Sequence, residues 1–308
     1  MSDAPVLIFA FNRPNKLRGL LLSLKACPEF ATSPLFIFID GPRNTAERPI
    51  VQEVIDIARS NTPPDTTISV RAENIGLKKS IISGVTFVMS AHDRAIILED
   101  DLLVSPKLLT YFNRALDSYQ SEGRIWSISG YMYEVPALAE RENAMFLPFP
   151  NPWGWATWRK AWQRFISMEK DAVPPASSEA FRLAFDAHGI RDFTAILELD
   201  RRRLISSWYI NFYYAMFRAG GVSLWPQRSL ISNQGVTSGT HASILNIGRF
   251  LPRSKISDTF LPKLPEDVLI DYEALDAIAR SRDVRAQKLI SSLGGLRRRV
   301  RAAIGESK

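Results

Sequence analysis

Three carboxylates stand side by side in this chain, Glu99, Asp100 and Asp101, within the stretch AIILEDDLLVSP from Ala95 to Pro106. Adjacent acids repel one another, and burying even one of them without a partner is costly. A hard divalent cation reverses that balance, because it takes carboxylate oxygens as ligands. Ala95 to Leu98 form a short apolar run of the kind that makes a buried strand. Leu102, Leu103 and Val104 resume the apolar pattern, and Ser105-Pro106 caps a helix starting around Lys107. A solvated acidic turn has the same composition. The strand before and the helix after favour a site, since ligands of open α/β sheets bind at the strands' carboxyl ends.

The elements upstream repeat that arrangement. Val6–Phe11 reads as the first strand; Asn12-Arg13-Pro14-Asn15 follows, and Leu17, Leu20, Leu21 and Leu24 recur at helical spacing. Arg13 thus stands at a strand-to-helix junction, where a cation can meet a phosphate or a base, although a surface arginine fits nearly as well. Leu35–Ile39 is a second strand closed by the turn Asp40-Gly41-Pro42. Asp40 holds a second strand-end position suited to a ligand carboxylate; an ordinary Asx turn is its other use. Ile50–Arg59 reads as a helix and Ile68–Arg71 as a third strand. Asn74-Ile75-Gly76-Leu77 then leads into a helix through Ile81, Ile82, Val85 and Val88, with Lys78 and Lys79 near its anion-attracting N-terminus. A solvated basic turn accounts for the two lysines equally. The alternation predicts an α/β fold: a wound, mainly parallel sheet with helices on both faces.

Beyond Leu116 the texture changes. Ile125–Ser129 is another strand, and Pro148–Trp162 holds Trp153, Trp155, Trp158 and Trp162. The last three are spaced three and four apart, so a helix would place them on one face. Trp158 and Trp162 read as core, whereas in Trp153-Gly154-Trp155 the glycine between two large rings marks a loop where a ligand approaches closely, with the aromatic faces against a sugar ring. Ala180–Leu199 reads as a helix bearing Glu198, followed by Asp200 and the run Arg201-Arg202-Arg203. Trp208–Phe217 is an aromatic helix and Val222–Leu224 a short strand. Ser232–His241 is a polar loop with two glycines, the kind of chain that folds over a bound phosphate, and His241 ends it. From Pro265 the chain looks appended. Asp271–Arg280 is a helix there, and Leu289–Ala303 forms a basic amphipathic tail that suits an anionic membrane or a solvated terminus.

Composition narrows the classes. The 308 residues include 39 Lys and Arg against 32 Asp and Glu, a net charge of +7, which suits an anionic partner such as nucleotide phosphate or an acidic membrane surface. Nucleic acid has no motif behind it and is not expected. One cysteine, Cys27, excludes an intramolecular disulfide and a multi-Cys zinc site and fits a reducing cytoplasm. No apolar run nears the roughly 20 residues of a membrane span. The start, MSDAPVLIFAFNRP, lacks the basic region of a secretory signal.

The run Pro5–Pro14, Phe38-Ile39-Asp40-Gly41, Asn74-Ile75-Gly76-Leu77, Leu98-Glu99-Asp100-Asp101, Trp153-Gly154-Trp155-Ala156-Thr157-Trp158 and Gly239-Thr240-His241 occur in that order. Together they resemble bacterial GT-A-fold glycosyltransferases, distantly related to N-acetylglucosaminyltransferase I, over about residues 4–245. The resemblance implies a domain over residues 1–250, with 1–116 the nucleotide-binding half and 117–250 the acceptor-side half. A C-terminal extension follows over 251–308. It also implies a nucleotide-sugar donor, a UDP-sugar first, held with Mn2+ or Mg2+, and transfer to a glycan or lipid-linked acceptor of bacterial surface polysaccharide. The enzyme would be cytoplasmic, its tail resting on the inner face of the membrane. By that likeness Arg13 and Asp40 contact the base or ribose, and Asn74, Lys78, Glu99, Asp100, Trp155 and His241 line the donor site. Asp101 is the first metal ligand, with His241 approaching the diphosphate or the metal. The chain departs from N-acetylglucosaminyltransferase I at Ser207-Trp208-Tyr209-Ile210-Asn211, which has no acid after its tryptophan. Glu198, then Asp200, are the remaining candidates for general base. A binding or scaffold protein that retains the fold, and a sugar-phosphate nucleotidyltransferase, are the rival readings. The second would want a Gly-rich loop after the first strand, which Asn12-Arg13-Pro14 does not supply.

Overall fold

The computed structural model describes residues 2–169, 178–235, 256, 260–281 and 284. His241 and the tail Leu289–Ala303 lie outside the described residues.

The first half winds as the alternation predicts. Strand β1 (Val6–Ala10), helix α1 (Pro14–Leu24), β2 (Leu35–Ile39), α2 (Arg48–Asn61), β3 (Thr67–Val70), α3 (Leu77–Ala91) and β4 (Arg94–Glu99) follow one another. They give four parallel strands in the order 3-2-1-4. Leu17, Leu20, Leu21 and Leu24 of α1 and Val51, Val54 and Ala58 of α2 pack on one face with Val6, Ile8, Ile37 and Ile39. Ile81, Val85 and Val88 of α3 pack on the other with Leu7, Phe9 and Ile97. β1, β2 and β4 are buried on both sides, which is why they read as unbroken apolar runs, whereas β3 lies at the sheet edge and is partly exposed. The winding changes direction between β1 and β4.

The second half adds β5 (Leu102–Val104), α4 (Leu108–Ser118), β6 (Ile125–Ser129), α5 (Pro136–Ala139), β7 (Met145–Leu147), β8 (Trp155–Trp158) and α6 (Arg159–Glu169). Helices α7 (Glu179–Phe185), α8 (Phe193–Arg201) and α9 (Trp208–Arg218), strands β9 (Val222–Trp225) and β10 (Ile231–Asn233), and α10 (Tyr272–Arg280) complete it. Strands β8, β6, β9 and β7 extend the sheet to eight, in the order 3-2-1-4-8-6-9-7. β8 is antiparallel to β4 and β6, and β7 is antiparallel to β9.

Three expectations change. The tryptophan stripe is not one helix: Trp155 and Trp158 lie on β8, and Trp162 alone is on α6. Two antiparallel neighbours supply hydrogen bonds to that segment, and tertiary pairing overrides a helical period over so few residues. The helix expected over Ala180–Leu199 is two, because Ala187, His188 and Gly189 all have positive φ (48°, 56° and 80°) and stop α7 before α8 begins. The polar loop expected from Ser232 opens in a strand: Ile231–Asn233 pairs with Leu102–Val104 as a separate two-stranded sheet, β10 with β5.

Residues 266–281, expected as an appended segment, are docked on this body. Ile270 bridges to Phe146 of β7, and Ala274, Leu275 and Ile278 of α10 are fully buried. Among the described residues no helix is long and apolar enough to cross a membrane.

Candidate active site

Arg13, Asp40 and the three acids each follow a parallel strand, so the winding gathers them at one edge of the sheet. Arg13 sits between β1 and α1, and Asp100-Asp101 at the end of β4, on the two sides of the crevice where the winding reverses. There the Arg13 guanidinium bridges the pair: Nη2 is 2.5 Å from Asp100 Oδ1, and Nη1 donates to Asp101 Oδ2 at 2.7 Å. Asp100 is fully buried, and its other oxygen accepts from the Phe11 N–H at 3.2 Å. Burial would lower the Arg13 pKa, but the charges of Asp100, Asp101 and Glu99 outweigh it and hold the guanidinium above its usual value.

One guanidinium does not neutralise three acids. Burial pushes Asp100 up to about 6 against the pull of Arg13. Burial, reinforced by Asp101 and Asp100, pushes Glu99 up to about 8. Asp100 Oδ1, buried in this cluster, faces Arg13 without a hydrogen bond of good geometry. Oxygen donors with surplus negative charge are a hard cation's ligands, so Asp100 and Asp101 fit a divalent metal. Among the described residues, however, no group of three or more His, Cys, Asp or Glu side chains comes together for one.

The segment 233–235 closes over Asp101, and the sequence reading missed its role. Gln234 N donates to the Asp101 carbonyl at 2.7 Å, and Lys16 Nζ donates to the Gln234 carbonyl at 2.8 Å. Asn233 Oδ1 accepts from the Gly235 N–H at 2.7 Å. A Cβ on Gly235 would lie 1.9 Å from Asp101 Oδ2, so only glycine lets the backbone pass this close to the carboxylate. The signal available in advance was a glycine two residues after a strand-forming pair; its partner, Asp101, is over a hundred residues away.

The remaining candidates divide. Asp40 is buried, and its oxygens accept from the N–H groups of Gly41, Ile75 and Gly76 at 3.1, 2.9 and 2.9 Å. Asn74 Nδ2 donates to the Gly41 carbonyl. Both therefore hold the loop that begins α3, and three of the roughly four acceptor positions of Asp40 are taken. Lys78, in the first turn of α3, lies 3.7 Å from Asp200 Oδ2. Asp200 also accepts from Ser207 N and Asn211 Nδ2, both at 2.7 Å, and so secures the start of α9. Glu198 pairs with Arg202 on the exposed side of α8. Trp155 is corrected: only 2% exposed, it stacks on Trp208 with ring centroids 5.1 Å apart and offers no face to a sugar. The mean plane of β8 turns its side chain into the layer beneath α9.

No family model matches the chain, and no curated protein matches it in sequence. Solved structures do. It is similar to a mannosyltransferase from Pyrobaculum calidifontis in complex with GDP-Man and Mn2+, at 10% identity and a TM-score of 0.36, over 71% of each chain. S. aureus TarS 1–349 matches at 8% identity and TM-score 0.41, over 74% of this chain and 59% of that one. The galactosyltransferase LgtC, in complex with donor and acceptor sugar analogues, matches at 12% and 0.38, over 89% and 95%. The fold itself is an eight-stranded mixed sheet wound with helices.

Proposed function

We propose that this chain is a metal-dependent glycosyltransferase that moves a sugar from a nucleotide-sugar donor, a UDP-sugar first, to a glycan or lipid-linked acceptor of bacterial surface polysaccharide. The observation that carries it is the meeting of Arg13 with Asp100 and Asp101 across the crevice where the winding reverses, the place where open α/β sheets bind ligands. Residues 1–116 form the nucleotide half and 117–250 the acceptor half, with 251–308 as an extension. Its tail, outside the described residues, would rest on the inner face of the membrane.

Each residue has a role in this reading. Arg13 leaves part of its pairing with the acids to meet the base or the phosphates. Asp40 and Asn74 fix the loop against which the nucleoside lies, and Lys78 brings a positive charge to the N-terminus of α3. Asp101, with His241, would hold Mn2+ or Mg2+; Asp100 and Glu99 complete the negative surface around it. The metal, when bound, neutralises the charge that develops on the departing diphosphate. Of the two acids assigned to proton abstraction, Asp200 is the better placed, tied through Lys78 to the edge where α3 begins, while Glu198 points to solvent.

A second reading, nucleotide binding without turnover, has one observation in its favour: both Asp200 oxygens are already engaged in holding α9. Isothermal titration of UDP, GDP and their sugars with Mn2+ tests the first reading, followed by transfer assays. Metal-dependent binding, weakened at least about a hundredfold in Asp101→Ala, is the expected result. Binding without transfer to any acceptor favours the second reading, and no binding with or without metal ends both.

A further inference from the structure

Trp153 is the tryptophan of its segment that is not fully buried. Of the four in Trp153–Trp162, Trp155, Trp158 and Trp162 are 2%, 8% and 1% exposed, whereas Trp153 is half-buried. Its backbone is fixed: the N–H donates to Asn151 Oδ1 at 2.7 Å, and Gly154 takes a φ of +63° immediately after it. That left-handed residue ends the strand alternation of β8. A Cβ at Gly154 would meet Ile231 at 2.0 Å and Leu98 at 3.2 Å, so the turn is pressed against the end of β4. Trp153 consequently packs against both core clusters, the one above the sheet and the one below, as a residue over the sheet's end does. Tyr131, at the end of β6, meets it edge to face with centroids 4.7 Å apart and holds the ring.

Its neighbour places this residue. β8 pairs antiparallel with β4 through Arg94↔Trp158 to Ile97↔Trp155. Gly154 lies against Leu98, so Trp153 stands just before β8, beside the carboxyl end of β4 where the acids begin. A diphosphate at Arg13 and Asp101 would place the sugar it carries, or the sugar that receives it, over the neighbouring strand end. We infer that Trp153 is the stacking platform for a pyranose ring at the transfer site, its half-buried indole meeting the apolar C–H face of the sugar. The inference rests on the donor reading given above and adds the residue that recognises the sugar. Trp155, its neighbour two residues on, belongs to the core.

The test compares wild type with Trp153→Ala and Trp153→Phe by isothermal titration in Mn2+. UDP and GDP alone are titrated beside UDP-glucose, UDP-N-acetylglucosamine and GDP-mannose; methyl glycosides are titrated into the protein saturated with nucleotide. The first set reads the donor sugar, the second the acceptor sugar. Nucleotide affinity should stay within twofold in both variants. In Trp153→Ala the extra affinity from one of the two sugars should fall about tenfold, and Trp153→Phe should restore most of it. Should Trp153→Ala fail to fold, Trp153→Leu keeps the apolar bulk without a ring and carries the same comparison. Equal sugar binding in the ring-less variant and wild type overturns the inference and leaves the donor reading standing. Equal loss of nucleotide and sugar binding shows a structural residue only, and overturns it too. A wild-type protein that binds no nucleotide removes the donor reading itself.

Discussion

Strands β4 and β8 are neighbours in one sheet, yet their adjoining ends are built on opposite chemistry. β4 ends in three acids with one guanidinium among them, and two of the acids hold their protons well above the usual carboxylate range because they are buried together. β8 begins in tryptophans that bury large apolar area among Trp162, Trp208 and Phe212. The first end opposes folding and the second drives it. The difference teaches where each kind of residue is explained: the aromatic side by stability, the acidic side, on the proposed function, by the ligand it would hold.

The largest effect should come from the aromatic end. Trp155→Ala removes a fully packed indole and should cost about 3–5 kcal/mol in urea unfolding, against a small fraction of that for Trp153→Ala. Equal losses at the two positions would erase the distinction between core and platform. Gly235→Ala tests the other end. Its methyl group cannot coexist with the Asp101 carboxylate, so Mn2+-dependent nucleotide binding should weaken about tenfold while far-ultraviolet circular dichroism stays unchanged. Retained affinity would show that Asp101 moves freely.

A smaller effect should appear as a pH dependence. In the folded chain Asp100 keeps its proton to about 6 and Glu99 to about 8, above their ordinary values, so the folded state binds more protons than the unfolded state across that range. Their contribution therefore favours folding at the acid end and fades as pH rises through about 6 and about 8. The thermal midpoint of unliganded protein should fall from pH 6 to pH 8, chiefly as Glu99 loses its proton, and Glu99→Gln should flatten the slope. A rising midpoint with the same slope in the variant would mean that the acid cluster is not the cause. The smallest effect is expected at Glu198→Gln, with transfer rates within about twofold of wild type, because a surface ion pair contributes little. Asp200→Asn should cost far more; the reverse order would return the base to Glu198.

Much of this was legible in the chain. The parallel half could be read because three of its four strands are short apolar runs ended by a polar turn, and each helix shows its period in leucine, isoleucine or valine. The acid triplet was visible for the same local reason. What stayed hidden depended on partners far along the chain. Arg13 could be placed at a strand end, but not on Asp100 and Asp101, 87 and 88 residues later. β5 and β10 are three residues each and exist because they find one another. Trp155 and Trp162 share a helical period by spacing alone, and two flanking strands decided that the first belongs to a sheet.

By itself, then, the amino-acid order determined which segments are strands and helices in the wound half, and which residue types end them, because apolar period and turn chemistry act over a few residues. Only the tertiary structure decided which charge neutralises which, which glycine must stay a glycine and which tryptophan is left half-buried. Those outcomes depend on burial and register, and both are fixed by pairing between distant strands.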